Sequence, residues 1–352
     1  MNRKNKGIFY LLAAAMVLTA SIALCLQLAH AVPAADHGVK LQAARRMERC
    51  MAQIRQYKKE QGISLSPEDI HQTGLIGAPM TGITTTAGAL EAKRTAANAD
   101  MAALAVELLR EAGVQKGNRV AASFSGSFPG LNLAVICASD ALGADLVYIS
   151  SVGASTYGAN QPELTFPDIA YRLWQDGLIS SPGAANTLGG DMDSGLDMEA
   201  AVLAPIQARL QGFDIPLLVY PEYEENLQAR MKIYNRGGIP TCFVGVGGNM
   251  ATMGRGVEQL PFGLIPAGTL RDSDEKSGLL QRYNAQGIPV IHLLQVKQLV
   301  AEYGLPFDPA ALPAVGTSAV YEEIEYPKLP AIFGIVLSVG LLLWGRRKGG
   351  SV

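Results

Sequence analysis

The sequence predicts an α/β fold: a Rossmann-like three-layer domain with a mostly parallel sheet, flanked by N- and C-terminal transmembrane helices. Three observations carry this. Two apolar runs, 8–28 and 329–345, are free of charge and lie near the ends of the 352-residue chain. Residues 119–150 read as strand, tight turn, helix and strand, a βαβ unit that requires parallel pairing. The same alternation returns between 239 and 303, with further strands expected at 239–246 and 288–292.

The first segment, 1–31, is a membrane anchor. Its apolar run reaches roughly 30 Å as a helix, enough to span a bilayer. Arg3, Lys4 and Lys6 precede it, and basic flanks favour the cytoplasmic side. A cleaved signal peptide is the rival reading, since Ala29-His30-Ala31 resembles a cleavage site, although the run exceeds the usual ~7–15 apolar residues. Cys25 follows Leu24, a poor context for lipidation. The last run, 329–345, is a second span with a basic tail at 346–352 carrying Arg346, Arg347 and Lys348. A sorting tail is the alternative there, but Leu329-Pro330 lacks the rest of such a signal. Both termini are therefore expected in the cytoplasm, with the main domain outside it.

Between the anchors, 32–80 is expected to be a juxtamembrane helical region. A helix over 39–60 turns Leu41, Ala44 and Ile54 to one side and a basic face to the other, suited to anionic headgroups. Residues 81–305 form the extracytoplasmic α/β domain. There a helix over 98–113 stops at Gly113, and helices over 131–142, 277–286 and 295–303 follow from their apolar spacing. Residues 306–328, rich in proline and in Glu322, Glu323 and Glu325, read as a stalk returning to the membrane.

Composition narrows the function. The chain has 29 Lys plus Arg and 31 Asp plus Glu; without the six basic residues of the tails, the remainder is 23 basic against 31 acidic, a net of −8. No global positive field exists for nucleic acid. Four scattered cysteines and four histidines indicate neither a disulfide framework nor a histidine-rich metal site. No phosphate-binding G-x-x-x-x-G-K-[ST] is present, so the chain is not an ATP-dependent ligase of that type.

In open α/β sheets, ligands gather at the carboxyl ends of strands. Three small-residue loops are expected there, and they supply the ligand-binding candidates Ser125, Gly126 and Ser127, then Ser150 and Ser151, then Gly247, Gly248 and Asn249. Such loops also suit plain turn and capping chemistry. Thr84, Thr85 and Thr86, followed by Lys93 and Arg94, form a candidate carboxylate clamp. Ser127 is the candidate nucleophile, with His292 as base and Asp168 or Asp191 orienting it, although the glycines of a nucleophile elbow are missing. Asp191 and Asp193, in a run continuing to Asp197 and Glu199, are candidate ligands for a divalent cation; a helix start is the alternative.

Three strings resemble segments of the bacterial poly-gamma-glutamate system proteins: Thr81-Gly-Ile-Thr-Thr-Thr86-Ala-Gly-Ala-Leu-Glu-Ala-Lys93-Arg94-Thr95, Ser125-Gly-Ser-Phe-Pro129-Gly-Leu-Asn132, and Ser150-Ser-Val-Gly153-Ala-Ser155-Thr-Tyr-Gly158-Ala-Asn160. The two-anchor layout resembles that family too. The resemblance implies an accessory role in synthesis or export of poly-γ-glutamate, a capsule polymer, with the polymer or its synthase and export proteins in the membrane as partners. It does not imply a reaction. A hydrolase or transferase acting on γ-glutamyl amide bonds through a Ser or Thr nucleophile is the alternative.

Overall fold

The computed structural model describes residues 3–256, 259–270 and 274–349. Of the expected tail, 350–352 lie outside the described residues, as do the side chains of Arg3, Lys4, Lys6 and Lys348. The chain forms two compact units, Asp36–Tyr321 and the paired terminal stretches up to Ala35 and from Glu322.

The larger unit is built on a seven-stranded sheet in the order Leu217–Leu218, Ala185–Thr187, Asp145–Ser151, Arg119–Phe124, Cys242–Val246, Val290–Leu293, Gly263–Ile265. Neighbours pair in parallel except Gly263–Ile265, which runs antiparallel to Val290–Leu293. The central strands are apolar on both faces, as a sheet covered on both sides requires. Val120, Ala122 and Phe124 enter one core, and Ala121 enters the other. Cys242, Val244 and Val246 split from Phe243 in the same way. Helices His37–Glu60, Asp100–Glu111 and Pro129–Leu142 pack together over the first face. Tyr223–Tyr234 and Leu279–Ala285 cover the second through Leu227, Tyr234, Leu280 and Tyr283.

Local chemistry fixes the boundaries. Pro129 opens its helix at a position where a missing N–H costs nothing, and Gly143, at φ 67°, closes it in the left-handed conformation. The strand expected at 239–246 starts only at Cys242, because Pro240 has no N–H to give the ladder.

Two expected regions change character. His37–Glu60 is not a separate juxtamembrane element: Ala43, Ala44, Met47, Cys50 and Ile54 are fully buried in the first core. Its basic side is divided. Arg45, Arg49, Arg55 and Lys59 are exposed, whereas Arg46 pairs with Asp140 at 2.9 Å and the buried Lys58 donates to the Ile76 carbonyl at 3.3 Å. Nor is 306–328 a free stalk. Val320 and Tyr321 enter the core, and the Tyr321 hydroxyl donates to Asp100 at 2.6 Å.

In the terminal unit, helices Arg3–Gln27 and Lys328–Gly349 contain the segments Gly7–Gln27 and Lys328–Arg347, each long and apolar enough to cross a membrane. The helices pack antiparallel. The Ser338 hydroxyl donates to the Ala14 carbonyl at 3.0 Å, and a Cβ on Gly334 would meet the Ser21 Cβ at 2.5 Å. Small residues at such contacts let apolar helices approach closely. Beyond them, His30–Pro33 and Glu322–Glu325 form an antiparallel ribbon.

Candidate functional site

Strands Arg119–Phe124 and Cys242–Val246 are parallel neighbours that end side by side. From Arg119–Phe124 the chain lays down three strands successively on one side, then returns to place Cys242–Val246 on the other. Where the order reverses, the loops leaving the two carboxyl ends diverge and open a crevice. A cleft of about 690 Å³ lies there, lined by residues of the loops after Phe124, Ser151 and Val246.

A fourth segment completes the wall. Thr84–Thr86 pairs in parallel with Ala154–Ser155, with Thr84 opposite Ala154 and Thr86 opposite Ser155. This joins two strings seventy residues apart, and the turn 125–128 packs against both. Gly126 sits so close to the 152–154 backbone that a Cβ would be 2.8 Å from the Val152 carbonyl oxygen. The Ser127 hydroxyl accepts from the Ser155 N–H at 3.0 Å, while the Ser127 N–H donates to the Ser125 hydroxyl at 3.2 Å.

Lys93 stands at the centre of this wall. It projects from helix Leu90–Ala96 and is only 3% exposed, yet it lines the cleft. Its ammonium donates to the Ser127 carbonyl and, at 2.7 Å, to the Ser155 hydroxyl, and lies 3.6 Å from the centre of the Phe128 ring. Burial pushes the amine down to about 7, and no carboxylate among the described residues offsets it.

The structure divides the sequence candidates. Thr85, Thr86, Lys93, Ser125, Ser127, Ser151, Gly248, Asn249 and Asp191 line the cleft. Thr84, Arg94, Gly126, Ser150, Gly247 and Asp193 do not, and each has another task. The Thr84 hydroxyl accepts from the Thr81 N–H at 2.9 Å and from Asn160 at 3.0 Å. Arg94 binds Asp308 through two bonds of 2.7 and 2.6 Å, so the expected Lys93–Arg94 clamp is not formed: adjacent helical side chains point apart. The Ser150 hydroxyl donates to Asn186 at 3.0 Å. Gly247, at φ 80°, brings the chain against Ser125. Asn249 lines the cleft and also caps the short helix Met250–Met253, accepting from the Thr252 N–H at 2.9 Å.

The cation reading is corrected. Asp193 turns inward to a buried ion pair with Arg230, and its carboxylate also accepts from Asn226 at 2.9 Å and from the Gly189 N–H at 3.1 Å. Asp197 accepts from the Asp191 N–H at 2.9 Å. Among the described residues no cluster of three or more acidic, His or Cys side chains is arranged to hold a metal. The triad is corrected as well. His292 is fully buried away from the cleft, with Nδ1 2.8 Å from the Pro261 carbonyl oxygen; burial lowers its pKa, partly opposed by that bond. Asp168 caps its own helix through Thr165 and pairs with Arg209 at 2.7 Å.

Sequence reasoning missed two features. Ser155 stood in a quoted loop, but its contact with Lys93 depends on a two-residue strand whose partner lies seventy residues earlier. Arg255 also lines the cleft, and no local pattern in the sequence marks it. No family model, curated protein or solved structure matches this chain.

Proposed function

We propose that this chain is a membrane-anchored, extracytoplasmic component of poly-γ-glutamate synthesis or export, and that its Rossmann-like domain holds a γ-linked glutamyl segment in the cleft. One observation carries the reading. The three strings that resemble poly-gamma-glutamate system proteins, far apart in sequence, together build one wall of a single cleft. The cleft also offers hydroxyls, the Lys93 amine, the Asn249 side chain and the Arg255 guanidinium. These are donors suited to carboxylates and amide oxygens.

The anchors fit the same reading. Antiparallel terminal helices that both cross the bilayer would bring the two chain ends to one side, and Arg346 and Arg347 favour the cytoplasm for it by the positive-inside rule. The domain between them then faces outward, where a secreted polymer passes. Its net negative charge disfavours wrapping a polyanion over a broad surface, so binding is local to the cleft.

The test is a sizing column run with the full chain in detergent and defined-length poly-γ-glutamate. Glutamyl polymer, whether intact or shortened, should co-elute with wild type and less so with Arg255→Glu, which places a like charge at the cleft. Polymer that elutes separately from the wild-type protein would overturn the reading.

A further inference from the structure

We propose that Ser155 and Lys93 form a nucleophile–base pair that hydrolyses amide bonds; resting on the reading above for its substrate, the bond cut is a γ-glutamyl amide. Ser155 is singled out by its surroundings. Its hydroxyl is 2.7 Å from the Lys93 amine, and both side chains line the same cleft. The other serines there have different neighbours: the Ser151 hydroxyl donates to the Phe124 carbonyl at 3.3 Å, and the Ser125 hydroxyl accepts from the Ser127 N–H at 3.2 Å. The hydroxyl of Ser127, the nucleophile expected from sequence, instead receives the Ser155 N–H at 3.0 Å and so fixes the Ser155 backbone. Gly88 packs directly against the pair, where a Cβ would lie 2.7 Å from the Ser155 hydroxyl and 3.1 Å from Lys93 Cε, so a larger residue would displace one of them.

The surroundings of Lys93 suit both of its charge states. As ammonium it has three protons for three acceptors: the Ser127 carbonyl, the Ser155 hydroxyl and the Phe128 ring face. As neutral amine it keeps a bond to the Ser127 carbonyl and turns its lone pair to the Ser155 O–H. A base balanced between these states is an effective proton acceptor and donor near neutrality.

The chemistry closes on these two groups and water. Neutral Lys93 takes the hydroxyl proton as Ser155 Oγ bonds to the amide carbon. The tetrahedral adduct collapses, the C–N bond breaks, and the Lys93 ammonium protonates the leaving nitrogen. Water then attacks the Ser155 ester and gives a proton to Lys93. Collapse of the second adduct releases the acid, and Ser155 Oγ recovers its proton from Lys93. The net change is amide plus water to carboxylic acid plus amine.

The test uses the full chain in detergent with a fluorophosphonate probe, the modified residue mapped by peptide mass spectrometry, and a parallel digest of defined-length poly-γ-glutamate in which new amino ends are counted. The probe should map to Ser155 in wild type. Labelling should fall on the order of a hundredfold in Lys93→Met. Lys93→Arg, which keeps a side chain of similar reach but stays protonated, should show the same loss and guards against a misfolded Met variant. New amino ends should vanish in Ser155→Ala, whose fold is checked by circular dichroism. Wild-type Ser155 left unlabelled, or labelled equally well in both Lys93 variants, would overturn the pair. Polymer that co-elutes uncut with unlabelled protein would sink the pair and keep the binding role. Labelled Ser155 that hydrolyses γ-glutamyl-p-nitroanilide but ignores polymer would keep the pair and sink the polymer as its substrate.

Discussion

Arg94 and Asp308 lie 214 residues apart and meet through two parallel hydrogen bonds, 2.7 Å from Nε and 2.6 Å from the terminal nitrogen. The pair ties the helix bearing Lys93 to the chain near its C-terminal end, and the Asp308 N–H adds a bond of 2.9 Å to the Thr95 hydroxyl. Neighbouring residues of one helix thus have opposite roles: Arg94 fastens it, and Lys93 faces the cleft.

Removing Asp308 leaves the largely shielded Arg94 with only a longer contact, 3.8 Å, to the half-exposed Glu68. Asp308→Ala should therefore cost about 2 kcal/mol in urea unfolding. The bond to Arg94 holds the Asp308 carboxyl below its ordinary value. A carboxyl lowered by folding stabilises the fold fully above its unfolded value, near ~3.9, and stops doing so as pH falls through the lower folded value. The difference between wild type and Asp308→Ala should thus be constant near neutrality and shrink in acid. A difference that grows below pH 4 would contradict the assignment.

Arg230 and Asp193 test the cation reading directly. Arg230 is 2% exposed and also donates to Thr187 at 2.9 Å and to Asn226 at 2.8 Å, so losing its counterion strands a buried charge. Asp193→Asn should destabilise by roughly 3–5 kcal/mol. A chelator, or millimolar calcium, should leave the wild-type melting temperature unchanged. A rise with calcium that disappears in Asp193→Asn would restore the metal site.

Lys93 carries a stability cost with a defined pH signature. Its amine falls from an ordinary 10.5 to about 7 because burial disfavours the charged form. Between these values the unfolded chain binds more protons than the folded one, so stability rises with pH across that window. Below it the penalty is fully present. Lys93→Met removes the penalty and also loses two hydrogen bonds, for a net gain of roughly 2 kcal/mol at pH 6. The gain should diminish from pH 7 upward and reverse by pH 10. A gain independent of pH would mean that the amine titrates normally.

What could be read in the sequence was what local chemistry decides. The strand at Arg119–Phe124 was legible to the residue, because its apolar run is bounded by a turn; the helix after it, expected from Leu131, starts at Pro129. Ala185–Thr187 and Leu217–Leu218 were not, because two or three residues carry no periodicity. The loops after Phe124 and Val246 were legible as cleft walls through their small residues. The pairing of Lys93 with Ser155 was not, since burial of a lysine leaves no mark in one dimension. His37–Glu60 shows a subtler limit: its amphipathic pattern was plain, but a helix facing lipid and one facing a protein core share that pattern.

Gly88 gives the sharpest test of how closely the cleft wall is fitted. Its N–H donates to the Thr156 hydroxyl at 2.8 Å and its carbonyl accepts from the same hydroxyl at 3.0 Å, so this backbone is held against the neighbouring segment. A methyl group on Gly88 would lie 2.7 Å from the Ser155 hydroxyl, too near for either atom to stay in place. The Ser155 side chain can rotate away more easily than the doubly bonded backbone can shift. Gly88→Ala should therefore break the Ser155–Lys93 contact at a modest cost of about 1–3 kcal/mol in stability. Probe labelling of Ser155 should fall at least tenfold, and the amine, freed from the hydroxyl, should still titrate near neutrality because it remains buried. The two readouts separate the roles of the contact and the burial. Full labelling in a folded Gly88→Ala protein would mean that Ser155 does not need Lys93 in the position seen here.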